Sequence, residues 1–364
     1  MIKISHRKMR KLKKWLPIFS AAALALCVLI TWFAGCGKKD GGKVVFTTGL
    51  GKNEIFRIGD EICKLPEMMV YLTTTQRQYE DVYGKQIWNT SLNGVTLEES
   101  VKDTVLEKVA QIKTMYLLAK SRGISLDETE KAYVKAAAKE YTGRFGETQR
   151  EEIGITEALM EKLYEEYAMA NKVYLDIIQD VNPEISDDEA RIVTVQHILI
   201  RTSRKDADGN RVEYLTAEKQ DAYENACAIW SELKSGKKSF EELASRYSQD
   251  TVMTYSFGKG EMDPAFEAAA FQLETDEISP VIESASGYHI IKCISTFDKE
   301  ETARNKERLL EERRNEAFGE KYDEFVMTLA RKLNQAAWDE VGLYSEENLP
   351  AADFFEIYEM IFQR

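Results

Sequence analysis

From Glu98 to Arg122 apolar residues recur at Val101, Val105, Val109, Ile112 and Tyr116, in steps of four, four, three and four, with charges filling the positions between. That spacing keeps one stripe on one face of a 3.6-residue turn and predicts a long amphipathic helix ending at Gly123. Two capping patterns after an Ile, Ser125-Leu126-Asp127-Glu128 and Ser186-Asp187-Asp188-Glu189, each predict a helix start. Between them Thr156 to Asp180 is a further long helix, closed by Asn182-Pro183. At Ile192 the period changes: Val193-Thr194-Val195-Gln196-His197-Ile198-Leu199-Ile200 is a β-branched run of strand character. After a loop at Asp208-Gly209, Ala222, Ala226, Ile229, Trp230 and Leu233 line one helix face, which stops at Gly236. Short helices at Ser239–Tyr247 and Asp263–Gln272 and a strand at Gly287–Ser295 complete a β-α-α-α-β order. Lys299 to Lys332 then predicts another long helix, and the tail carries an aromatic stripe of Phe354, Phe355, Tyr358 and Phe362 whose docking place the pattern leaves open. Ahead of the helices, Val44 to Ile58 reads as extended segments broken by glycines.

The 364 residues are 44% hydrophobic and 30% charged, with 20 Gly and 6 Pro. This is the make-up of a folded chain of two or three domains, and it excludes collagen-like and disordered classes. The 49 basic and 62 acidic residues give a net charge of -13; without the seven bases between Lys3 and Lys14 the balance is 42 against 62, or -20. A surface that acidic repels phosphate backbones, so no nucleic-acid partner is expected.

Those seven bases precede an uncharged stretch from Trp15 to Phe33, followed by Ala34-Gly35-Cys36 and the polar Lys38-Lys39-Asp40. Basic residues before the apolar stretch keep that end cytoplasmic and deliver the remainder across the membrane. Phe33-Ala34-Gly35-Cys36 resembles a bacterial lipobox, which implies cleavage before Cys36 and lipidation of its thiol. The alternative is an uncleaved membrane helix, whose nineteen residues rise roughly 28 Å, just enough to span. Both place the chain at the cell membrane on the extracytoplasmic face. The expected organisation is a signal peptide over 1–35, a lipidated Cys and linker over 36–50 and an N-terminal helical region over 51–190. With Cys27 in the signal and Cys36 the anchor, Cys63, Cys227 and Cys293 remain, too few and too scattered for a disulfide framework or a metal site. Beyond His6, the mature chain has only His197 and His289.

The residues from Val195 to Ile294 resemble the parvulin family of peptidyl-prolyl isomerases. Gln196-His197-Ile198-Leu199 is similar to its first strand, Ser239-Phe240-Glu241-Glu242-Leu243-Ala244 with Tyr247-Ser248-Gln249-Asp250 to its helix and acidic position, and Glu261-Met262-Asp263-Pro264-Ala265-Phe266 to its proline-pocket segment. Glu277-Ile278-Ser279-Pro280-Val281 and Ser286-Gly287-Tyr288-His289-Ile290-Ile291-Lys292 match the closing strands. The whole chain resembles, more loosely, foldase lipoproteins with helical chaperone flanks. One departure stands out: between Asp250 and Phe257-Gly258 the chain is shorter than the family and lacks its Gly-Gly-Asp-Leu-Gly loop, so one wall of the pocket is unassigned.

The resemblance implies an α+β fold, with a parvulin-like α/β domain at 192–298, an antiparallel sheet with surrounding helices, inserted in a mainly helical chaperone lobe that 299–364 completes. It implies a proline socket of Phe257, Met262 and Phe266, and a polar rim of His197, Asp250, Ser284, Ser286 and His289 that orients the amide carbonyl. Each has a plainer reading: a buried histidine pair that ties the sheet, core residues at Met262 and Phe266, a turn former at Asp250, and core thiols at Cys227 and Cys293. Arg201, Arg204, Lys205 and Arg211, interrupted by Asp206 and Asp208, read as a solvated loop rather than a phosphate site. The function expected is isomerisation of Xaa-Pro bonds in unfolded secreted proteins, without cofactor or metal, combined with holding of those clients; the partners are such clients, the lipid bilayer and, as an assembly, a second copy of the chain. A non-catalytic chaperone that retains the fold is the alternative, favoured by the missing loop; a solute receptor fits poorly with so many long helices.

Overall fold

A computed structural model describes residues 49–92, 94–345 and 352–363. The signal segment, Cys36 and most of the proposed linker lie outside the described residues. The chain divides into two compact units. One holds the described residues up to Val181 together with those from Arg314 onward; the other runs from Asn182 to Arg313.

In the first unit, strands β1 (Glu54–Ile58) and β2 (Glu61–Lys64) form an antiparallel hairpin. Helix α1 (Leu65–Tyr83) follows with a proline in its first turn, where the missing N–H costs nothing. A minimal pair of strands, β3 (Ser91–Leu92) and β4 (Val95–Thr96), leads into α2 (Leu97–Ser121). Val101, Val105, Val109 and Ile112 of α2 are buried, as the spacing predicts. Next come α3 (Glu128–Gly143), α4 (Glu147–Ile153) and α5 (Glu157–Ile178). The cap of α3 is Asp127, not Ser125: its carboxylate accepts from the Glu130 N–H at 2.8 Å while Glu130 accepts from the Asp127 N–H at 2.7 Å. An aspartate cap with a glutamate three residues on satisfies two orphan donors, and that reciprocal pair outcompetes the serine two residues earlier. Inside the bundle Lys113 is fully buried, 2.7 Å from Glu67 and 2.9 Å from Glu166.

The second unit opens with the short α6 (Asp187–Ala190), capped by Ser186. Strand β5 (Val193–Arg201) is followed by a small hairpin, β6 (Ser203–Lys205) and β7 (Arg211–Glu213), then α7 (Thr216–Lys234), α8 (Phe240–Tyr247), β8 (Thr254–Phe257), α9 (Pro264–Gln272), β9 (Ile282–Ser284) and β10 (Gly287–Ser295). The sheet order is β8-β5-β10-β9, antiparallel throughout. The α+β class expected from the sequence is thus the one observed. The central strand β5 is buried on both faces, which is why it reads as a continuous β-branched run. On one face Ile198, Ile200 and Ile290 pack with Ala226, Ile229 and Leu243 of α7 and α8. On the other, Val193, Val195, Ile291 and Cys293 pack with Phe257, Phe266 and Ala270.

In this unit three features differ from the sequence expectation. The β-α-α-α-β order omits β8 and β9, which are four and three residues long and lie at the sheet edges, too short for a periodic signal. The basic stretch from Arg201 to Arg211 is a hairpin rather than a loop: Asp206 accepts from the N–H groups of Asp208 and Asn210, and Gly209 takes φ +83°. The unit is also wider than 192–298, because the start of the next helix, α10 (Lys299–Val326), is tied to its entrance by Asn305 donating to the Ala190 carbonyl and Thr302 accepting from the Ile192 N–H. Gly287 has a specific steric reason: with φ +143°, a Cβ there would lie 2.2 Å from the Ile200 carbonyl oxygen where β10 crosses β5.

Helix α10 stops at Val326 rather than Lys332, because the residues beyond it form strand β11 (Arg331–Leu333), paired with β1 at Phe56↔Leu333. After α11 (Gln335–Asp339), the aromatic tail forms α12 (Phe354–Phe362) and docks in the first unit's core. Phe354 is fully buried and stacks on Tyr164 with ring centroids 4.3 Å apart.

Candidate active site on the four-stranded sheet

His197 lies in mid-β5 on the face shared with Val193 and Val195, since side chains alternate along a strand. His289 lies on β10, where Ile291 is the residue opposite His197. The two histidines are therefore diagonal neighbours across one ladder, and their rings stack with centroids 5.3 Å apart and 16° between planes. Both are buried, at 3% and 6% exposure.

Their hydrogen bonds fix the tautomers. His197 Nε2 faces only acceptors, the Val252 carbonyl at 3.1 Å and the Asp250 carboxylate at 3.2 Å, so it carries the proton. In a neutral ring His197 Nδ1 then accepts, and the His289 Nδ1–H donates to it at 3.1 Å. His289 Nε2 in turn accepts from the Ser284 hydroxyl at 2.7 Å, and Ser284 Oγ accepts from the Ser286 N–H at 3.0 Å. At the other end the Tyr255 hydroxyl donates to Asp250 at 3.0 Å. The result is a continuous chain from the β9–β10 turn through both imidazoles to the Asp250–Tyr255 segment. All four ring nitrogens are engaged, so neither imidazole keeps a free N–H to offer a substrate.

Electrostatics agree with neutral rings. Burial, and then the neighbouring His197 ring, push His289 down to about 4. Burial also lowers His197, against the opposing pull of the Val252 carbonyl and Asp250. Asp250 is held below the usual carboxylate range: the Tyr255 hydroxyl, the Val252 N–H and His197 outweigh the cost of partial burial. Above pH 6.5 the pair is neutral in both folded and unfolded chains and contributes its full stability. As pH falls below 6.5 the unfolded chain takes up protons that folded His289 refuses until about 4, so stability drops. For His289 alone the loss by pH 5 is about 2 kcal/mol. Denaturant titration followed by hydrogen exchange of the β5 and β10 amides at pH 7 and pH 5 measures it; equal protection at the two values contradicts neutral burial.

Above the pair sits an apolar group. The Phe266 ring meets His289 at 5.0 Å and His197 at 5.6 Å, close to perpendicular to both. Met262 is half-buried against the same cluster. Asp263 orients both: its carboxylate caps α9 through the Ala265 N–H at 3.0 Å and accepts from the Ala285 N–H at 3.3 Å. The structure thus brings together His197, Asp250, Ser284, His289, Met262 and Phe266. Two expected members need correction. Phe257 is 1% exposed and packs behind Phe266 at 5.8 Å, so it supports the socket rather than lining it, because β8 directs it into the core. Ser286 contributes its backbone N–H, while its exposed side chain has no partner among the described residues, because the turn points it to solvent. Tyr255, Asp263 and the Val252 carbonyl were not anticipated. Strand alternation along Thr254–Phe257 places Tyr255 on the Phe257 face, beside His197, but four residues are too few for that alternation to stand out in the sequence.

The family model of the PPIC-type peptidyl-prolyl isomerase domain, or rotamase, matches residues 197–295. A foldase protein PrsA of Caldanaerobacter subterraneus subsp. tengcongensis is 29% identical over 254 residues, which are 67% of this chain and 74% of the relative. The peptidyl-prolyl cis-trans isomerase ESS1 of Saccharomyces cerevisiae is 33% identical over 164 residues, covering 42% of this chain and 91% of the relative. The isomerase Pin1 of Arabidopsis thaliana is 36% identical over 112 residues, covering 28% and 92%. With the imidazole pair and its apolar cover occupying the matched segment, the chain belongs to the parvulin, or PPIC-type, family of peptidyl-prolyl cis/trans isomerases.

Proposed function

We propose that this isomerase is a foldase tethered to the outer face of the cell membrane through Cys36, that it acts on Xaa-Pro bonds of secreted proteins still unfolded, and that its helical unit holds those chains meanwhile. The observation that carries the catalytic part is the apolar cover of Phe266 and Met262 over two fully hydrogen-bonded, neutral imidazoles. An Xaa-Pro bond resists rotation by roughly 18–20 kcal/mol because twisting breaks amide resonance. The planar amide is the more polar state, since resonance moves charge from nitrogen to oxygen. Surroundings poor in water and hydrogen-bond donors therefore favour the twisted state over the planar one. Phe266 and Met262 would grip the pyrrolidine ring, leaving the acyl side to turn. The histidines, Asp250 and Ser284 are positioning residues: their hydrogen bonds lock β5, β10 and the flanking turns so that the socket keeps its shape. No bond breaks and no electron changes hands, so the reaction asks for no cofactor.

The basic, apolar, small-residue order ending at Cys36 supports the tether, and the amphipathic helices of the first unit support holding. A protease-coupled proline-switch assay on the mature chain tests the catalytic part: turnover above buffer is expected, with a drop of about tenfold in Met262→Ala. Turnover equal to buffer leaves only holding. Aggregation of a denatured protein in the presence of Met262→Ala should still be suppressed if the helical unit holds clients, and Cys36→Ala should abolish incorporation of labelled fatty acid into the chain.

A further inference from the structure

Without the family's glycine loop, one side of the socket has no assigned wall. The β5–β8 ladder identifies what stands there. Its register runs Val193↔Phe257, Thr194↔Ser256, Val195↔Tyr255 and Gln196↔Thr254, and the next step places Met253 opposite His197. The His197 N–H donates to the Met253 carbonyl at 2.9 Å, so the pairing continues to that residue. Residues directly opposite in an antiparallel pair share a face, as do residues two apart on one strand. Met253 is thus on the face of Phe257, which is buried under Phe266, and of Tyr255, whose ring lies 5.2 Å from that of His197.

Unlike those two rings, Met253 is 39% exposed, and its side chain makes no hydrogen bond, ion pair or ring contact among the described residues. A large apolar side chain held open to solvent beside the imidazole pair gains nothing for the fold. We infer that Met253 is a substrate-contacting wall of the prolyl socket, standing in for the absent loop on the β8 side. A thioether suits this place: it is unbranched and polarizable, and it adapts to a bound ring without a preformed pocket. The shortened segment from Asp250 to Thr254 is then a complete form of the site. Its course carries the Val252 carbonyl and the Asp250 carboxylate to His197 Nε2, and the same five residues bring Met253 to the open side.

This inference rests on the isomerase reading and is tested separately from it. In the full mature chain, Met253→Ala should lower kcat/KM on Xaa-Pro peptides about tenfold and leave the denaturation midpoint nearly unchanged, because the side chain is exposed. Met253→Leu should recover most of the activity, and Leu215→Ala, equally apolar and 73% exposed elsewhere in the unit, should match the parent chain. In a sample with 13C-labelled methionine methyls, the Met253 signal should move on saturation with an Ala-Pro peptide. Parent turnover that persists within twofold in Met253→Ala, with an unmoved Met253 methyl, overturns the inference and leaves the isomerase reading standing. A parent chain without turnover removes both.

Discussion

Lys113→Met should destabilise the helical unit by about 3 kcal/mol, the largest effect expected of a single substitution outside the sheet domain. Lys113 is fully buried, and its ammonium lies between Glu67 at 2.7 Å and Glu166 at 2.9 Å, themselves 3% and 2% exposed. Burial alone would lower the lysine, but the Glu166 carboxylate, and then Cys63 and Glu67, raise it, so it stays charged at every accessible pH. Glu166 is itself raised by burial, with Lys113 opposing. Removing the cation leaves two carboxylates facing each other in a dry core. Lys162, 3.0 Å from Glu67 and 3.6 Å from Glu166, offsets part of the cost from the surface, which keeps the loss near the lower end of the usual range. Chemical denaturation reads the change. The triple replacement Lys113→Met, Glu67→Gln, Glu166→Gln should regain much of it, because no charge is then stranded. A single variant as stable as the parent would mean that the carboxylates are not both ionised.

His289→Ala should act on the isomerase unit in two ways. It removes the acceptor of the Ser284 O–H and the donor to His197 Nδ1, and it opens a void under Phe266. Each stranded buried group costs about 1–3 kcal/mol, so a loss of roughly 2–4 kcal/mol is expected for this unit. Turnover should fall further than a pure stability loss implies, because the socket loses its floor. His289→Gln separates the two contributions: an amide can accept from Ser284 and donate to His197, and should recover stability and activity together. If alanine abolishes turnover while the amide restores stability alone, the imidazole acts on the substrate directly and the positioning role fails.

Much of this architecture is legible in the residues themselves, for reasons that can be traced. β5 reads as a strand because burial on both faces demands a β-branched run, and α2 reads as a helix because one stripe carries its burial. The histidine pair is legible through the motifs around it and because the chain has only two histidines beyond His6. The edge strand β8 is hidden by its length, and with it Tyr255 and Met253, since four residues at a sheet margin give no periodic signal. Phe257 looks like a socket wall from the motif, yet strand alternation sends it under Phe266. Lys113 is the least legible. A lysine in a charged helix reads as solvated, although it follows Val109 by four positions and so borders the buried stripe. Its partners Glu67 and Glu166 come from α1 and α5, and no local pattern joins the three.

The claim on which the rest depends is that the two imidazoles are neutral, fully engaged and present as opposite tautomers. Nitrogen-15 NMR of the histidine rings across a pH titration tests it most directly. The expected result is a proton on His197 Nε2 and on His289 Nδ1, with His289 unprotonated until pH approaches about 4. A His289 ring that titrates near 6.5, or that carries its proton on Nε2, would contradict it.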